Sequence, residues 1–177
     1  MVTAAEGGPV IIVEYDRGWP RMFEDEKGRI LAVIGPHLVA IEHIGSTAVP
    51  GLAAKPIIDI LAGVRRLEDA RECIAPLAGI GYDYVPEFEV DLPERRYFRK
   101  GRNERHTHHL HMIEFQSPFW RRHVAFRDYL RAHPDEAARY ADLKRTLAAK
   151  FGSDRGAYTD AKTEYVRGVE AKAGFVP

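Results

Sequence analysis

Two short apolar runs, 38–44 and 57–64, constrain this chain more than any other stretch. Each is rich in Ile, Val and Leu and too short for a typical helix, so both are read as strands. Between them lie Gly45-Ser46-Thr47 and a loop broken by Pro50, Gly51 and Pro56. Glycine lets the backbone approach an anion closely, and the Ser46 and Thr47 hydroxyls can donate to phosphate oxygens. Taken alone, the tripeptide is also an ordinary turn. The second run carries one acid, Asp59, inside Ile57-Ile58-Asp59-Ile60-Leu61. A buried, unpaired carboxylate is costly, so Asp59 calls for a partner: a metal, a cation such as Lys55, or backbone donors. A Gly-Ser at one strand end and an acid in the next strand suit a phosphate held beside a metal.

The remaining pattern supplies the scaffold. Residues 1–9 read as a flexible N-terminus and 10–15 as a short strand. Trp19-Pro20 opens a helix whose buried face is Met22, Phe23, Ile30, Leu31 and Ile34, and Gly35-Pro36 ends it. A helix is predicted over 67–78 and a short strand over 82–85, followed by an acidic, irregular stretch. Strands over 96–100 and 106–115 flank Gly101-Arg102-Asn103-Glu104, the spacing of a hairpin. Ser117-Pro118 then caps a helix to about Ala132, His133-Pro134 breaks it, and helices follow over 135–151 and 158–173. Strands early and helices late predict one α+β (mixed α/β) domain over 10–175, with helices packed on a sheet.

The 177 residues suffice for a sizeable core. The formal net charge is zero, which gives no reason to expect general membrane or nucleic-acid binding. The single cysteine, Cys73, cannot form an intrachain disulfide and reads as helix or core filler. With no signal-peptide pattern and no run long enough to span a membrane, a cytoplasmic location is expected.

Two further groups carry chemistry. His106, His108, His109 and His111 fall in one predicted strand. Alternation puts His109 and His111 on one face with Ile113 and Phe115, and His106 and His108 on the other. Two histidines two apart can share a metal, donate to phosphate or act as acid and base. In the three late helices Arg127, Lys144 and Lys162 each line up with the apolar stripe. Each could simply snorkel, but three inward cations together suggest an anion pocket. The basic run from Arg95 to Arg105 reads as a solvated hairpin.

Several stretches together resemble the GrpB-like family of the nucleotidyltransferase superfamily. They include His43-Ile44-Gly45-Ser46-Thr47-Ala48-Val49-Pro50-Gly51-Leu52, Lys55-Pro56-Ile57-Ile58-Asp59-Ile60, Tyr97-Phe98-Arg99-Lys100 and His109-Leu110-His111. Phe126-Arg127-Asp128-Tyr129-Leu130-Arg131, Leu143-Lys144 and Tyr158-Thr159-Asp160-Ala161-Lys162 complete the set. The resemblance implies a nucleotidyltransferase-like core sheet flanked by helices. It also implies Gly45 and Ser46 at the phosphates; Thr47 is expected beside them, with Lys55, Arg127, Lys144 and Lys162 neutralising the charge. The superfamily pairs two carboxylates one residue apart with a third on a later strand, and these hold two divalent metals. Here Asp59 stands alone between Ile57 and Leu61, and His109 and His111 occupy the later strand. The resemblance puts a divalent metal, magnesium or manganese, on Asp59, His109 and His111, which are also the candidate catalytic residues; one Asp and two His favour a softer ion such as manganese or zinc, or no metal at all. The expected function is binding of a nucleoside triphosphate or another small phosphorylated ligand, with nucleotidyl transfer to an acceptor. The alternatives are a non-catalytic binding module and a His/Asp metal-dependent hydrolase.

Overall fold

The computed structural model describes residues 9–102, 105–152 and 154–175. The flexible terminus expected over 1–9 lies, but for Pro9, outside the described residues, as do Asn103 and Glu104 of the expected hairpin turn.

Helix α1 spans Trp19–Ile34, with Pro20 in its first turn and Phe23, Ile30 and Ile34 buried on one face. Strand β1 (Leu38–Ile44) follows, then β2 (Ile58–Val64), helix α2 (Ile74–Gly79), β3 (Tyr82–Tyr84), β4 (Arg95–Arg102) and β5 (Arg105–Glu114). The chain closes with α3 (Pro118–Ala132), α4 (Pro134–Phe151) and α5 (Arg155–Lys172). The five strands form one mixed sheet in the order β1-β2-β5-β4-β3, in which β2 and β5 run parallel and the other neighbours antiparallel.

Three elements differ from the sequence reading. Residues 10–15 make no strand, only an isolated bridge between Val13 and Ala54. The stretch 67–78 is not one helix: a 3-10 segment, Leu67–Cys73, precedes α2. Pro76 explains the change, since it has no N–H to bond the carbonyl four residues back and its ring crowds that carbonyl. Helix α5 begins three residues early, because the Asp154 side chain accepts the Ala157 N–H at 2.9 Å and caps it.

The sheet separates two environments. On one side Ile58, Ile60, Leu110 and Met112 join Trp19, Phe23, Ile30, Ile34 and Leu77 in the main core, all nearly inaccessible. On the other, α3 covers the far half, with Phe119 and Trp120 packed on Ile44, Leu61 and Ile113. A β-carbon on Gly63 would sit 2.9 Å from the Trp120 ring, so the missing side chain is what lets α3 dock so closely. Helices α4 and α5 pack on Val49, Leu52 and Ala53. Between these helices and the near half of the sheet a cavity is left. Among the described residues, no helix is long and apolar enough to cross a membrane.

Candidate functional site

The cavity measures about 420 Å³. Nine of the ten candidate residues line it: Gly45, Ser46, Thr47, Lys55, Asp59, His109, His111, Lys144 and Lys162. The tenth, Arg127, is elsewhere. It is buried, and its guanidinium binds Glu42 and Asp128, each at 2.7 Å, and the His43 carbonyl at 2.9 Å. That set ties α3 to β1 and leaves Arg127 outside the cavity wall.

Gly45 leaves β1 with φ +72°, and a β-carbon there would meet Asp59 Oδ2 at 2.5 Å. Glycine is thus required twice, by the backbone conformation and by the carboxylate lying against it. Thr47 lines the cavity but spends its hydroxyl internally. It donates to the Ile57 carbonyl at 3.2 Å and, since that hydrogen is used, accepts from His43 Nε2 at 3.0 Å. Burial pushes the His43 ring down to about 4, so it is a neutral strut stacked on Phe23.

Strand register puts Asp59 beside His109 and Leu61 beside His111. His109 Nδ1 lies 3.3 Å and His111 Nε2 3.8 Å from the same oxygen, Asp59 Oδ1. Burial alone would raise the Asp59 carboxyl, but the two imidazoles beside it, His109 foremost, outweigh it and hold it well below the usual carboxylate range. His111 Nδ1 is 3.3 Å from Arg95 Nη1. A guanidinium can only donate, so Nδ1 is the acceptor and the ring's proton sits on Nε2, towards Asp59. A register shift between Lys100 and Gly101 also turns His106 towards His109, with Nδ1 3.4 Å from His109 Nε2, instead of to the opposite face.

The lysines gather on the helical side. Lys144 is 3% exposed, and its Nζ contacts Ser46 Oγ at 2.9 Å and the Ala53 carbonyl at 2.5 Å. Burial, with repulsion from Lys162, Arg145 and Lys55, pushes it down to about 7. Lys162 falls to about 8, chiefly through burial and then Lys55. Lys55 and Lys162 both lie over the Tyr158 ring, at 5.7 and 4.7 Å. Three amines therefore converge on a space whose lining holds one acid, Asp59.

This donor set does not fit two magnesium ions. Those need several hard oxygens, and Asp59 offers the one carboxylate, flanked by the apolar Ile57 and Leu61. The His111 lone pair faces Arg95. Among the described residues, no three His, Cys, Asp or Glu side chains are arranged to hold a metal ion.

Sequence reasoning missed Arg95, His123, Tyr140 and Tyr158. Arg95 was read as part of a solvated hairpin but reaches His111. Tyr140 and Tyr158 occupy apolar-stripe positions and line the cavity, as does His123 of α3. Nothing about an isolated histidine at helical spacing singles it out.

Comparison with known proteins follows the same lines. A family model described as GrpB protein matches residues 9–172. UPF0157 protein YqkA of Bacillus subtilis is 44% identical over 164 residues, which is 93% of this chain but 47% of that protein. The chain thus spans about half the length of that relative. The crystal structure of conserved protein GrpB from Enterococcus faecalis is similar with a TM-score of 0.84 and 38% identity, covering 92% of this chain and 96% of that one. Cid1 in complex with a UTP analogue gives a TM-score of 0.52 at 12% identity, over 85% of this chain and 48% of that one. The second likeness is one of fold alone.

Proposed function

Since the chain belongs to the GrpB family and has a nucleotidyltransferase-like fold, we propose that its cavity binds a small phosphorylated ligand, a nucleoside triphosphate above all. One observation carries this reading: Lys55, Lys144 and Lys162 converge with Ser46 on a cavity of about 420 Å³ containing one acid. Amines gathered around one largely buried space repel one another, and charge-assisted hydrogen bonds to phosphate offset that repulsion. The volume is that of a small-molecule site. The UTP analogue bound by Cid1 makes UTP the first nucleotide to try.

Nucleotidyl transfer through paired magnesium ions does not fit the donors. The non-catalytic alternative gains from one specific feature, the Asp59 carboxylate held by two imidazoles. In that role Asp59 and the histidines shape the cavity floor.

The test is thermal shift and calorimetry with inorganic tripolyphosphate and UTP, with and without EDTA. Stabilisation that persists in EDTA and in Asp59→Asn, and is lost in Lys162→Met, is expected. Absence of any binding at millimolar concentration overturns the reading. Stoichiometric zinc or manganese in the purified protein, together with a ligand response that needs Asp59, would instead favour the metal-dependent transferase or hydrolase.

A further inference from the structure

His123 sits on the cavity wall, on the inner face of α3. Its Nδ1 is 2.8 Å from the Phe119 carbonyl one turn back, and its ring stacks on Phe119 with centroids 4.1 Å apart. A carbonyl can only accept, so Nδ1 carries the proton and Nε2 carries the lone pair. Among the described residues, no hydrogen bond engages Nε2. Burial, aided by the Arg122 and Arg95 charges, pushes the ring down to about 3, so it stays a neutral acceptor under ordinary conditions.

A neutral acceptor has nothing to offer a phosphate. The cavity lining thus offers amines and, at His123, a neutral acceptor. Phe126 adds an aromatic surface, edge to face at 5.8 Å with Tyr140, whose ring centre lies 4.6 Å from Lys144 Nζ. Such a surface suits a flat, uncharged group with a donor on its edge.

We propose that His123 Nε2 accepts a hydrogen bond from the uncharged part of the ligand, so that the cavity selects a phosphorylated compound bearing an N–H or O–H donor away from its phosphates, as a nucleoside triphosphate does. This rests on the phosphate-binding reading above and adds what the rest of the ligand must carry. His123 is here a specificity residue: the phosphates bind without it, and discrimination does not.

The experiment compares inorganic tripolyphosphate with UTP, ATP, CTP and GTP on the wild-type protein, His123→Phe and His123→Gln by calorimetry. Phenylalanine keeps the stack on Phe119 and removes the acceptor, and glutamine restores an acceptor oxygen. The tightest nucleotide is expected to bind the Phe variant about tenfold more weakly, or about 1.4 kcal/mol, with the Gln variant between the two. Tripolyphosphate is expected to bind all three alike. In the wild-type protein, the His123 Nε2 resonance of nitrogen-labelled histidine should move with that nucleotide and not with tripolyphosphate. Equal weakening of both ligands, an unmoved resonance, or no advantage of any nucleotide over tripolyphosphate overturns the inference. Failure of tripolyphosphate itself to bind overturns the phosphate-binding reading, and this one with it.

Discussion

Lys144 is held where a charged amine is costly, and its folded-state value near 7 lies below the ordinary 10.5. Between those values the unfolded chain keeps a proton that the ligand-free fold has shed. The unfolded state then binds more protons, so stability of the ligand-free protein rises with pH across that window and is lost as pH falls through about 7. Anion affinity runs the other way, because a neutral amine attracts no phosphate. Tripolyphosphate should bind more weakly at about pH 9 than at about pH 6, and at neutral pH its binding should take up protons, read from calorimetry in buffers of different ionisation enthalpy. Lys162, at about 8, adds to the same trend. Lys162→Met should cost roughly tenfold or more in tripolyphosphate affinity while leaving ligand-free stability equal or higher. At Gly45 two constraints coincide, a φ of +72° and the carboxylate 2.5 Å from where a β-carbon would stand. Gly45→Ala should lower unfolding free energy by about 2–4 kcal/mol in urea titration, and a neutral result would mean the Asp59 carboxylate moves aside freely.

At the scale of elements, the turn between β1 and β2 is fixed by Thr47, which joins the Ile57 carbonyl to the His43 ring. Thr47→Val keeps shape but leaves the Ile57 carbonyl and the His43 N–H without their partner. A loss of about 1–3 kcal/mol in stability is expected, with tripolyphosphate affinity nearly unchanged in the folded fraction. A large affinity loss without destabilisation would assign Thr47 to the ligand instead. Legibility from sequence follows the same division. Strands β1 and β2 and helix α1 were readable because apolar period and Pro/Gly punctuation agree there. The break at Pro76 was readable in principle, since one residue cancels the helix. The Lys144 and Lys162 positions were legible because a cation on an apolar stripe violates the pattern. Arg127 violates it identically, yet its neutralising partners Glu42 and Asp128 lie on β1 and on α3 itself, and only the fold decides between a salt link and a ligand. Arg95 and His123 were not legible, because the contact with His111 depends on strand register and the aim of Nε2 depends on a local carbonyl.

Over the whole molecule, the cavity lies between two bodies of core that share few side chains. The sheet with α1 and α2 forms one, and α4 and α5 with Val49, Leu52 and Ala53 form another. Lys144 and Lys162 come from the second body, while Asp59, His109 and His111 come from the first. A polyanion seated between them adds contacts to both and removes the mutual repulsion of Lys55, Lys144 and Lys162. It should therefore tighten the helices onto the sheet and stabilise the whole by an amount that grows with the logarithm of ligand excess over Kd. Hydrogen exchange reads this directly, because local opening of α4 and α5 exposes their amides without unfolding the sheet. With tripolyphosphate, amides in 134–172 should slow by roughly tenfold or more, those of β2 and β5 less, and in Lys162→Met the effect should shrink. Slowing confined to the strands would place the anion on Asp59's side of the cavity. There it would meet a carboxylate and not the lysines, and the phosphate-binding reading would lose its physical basis.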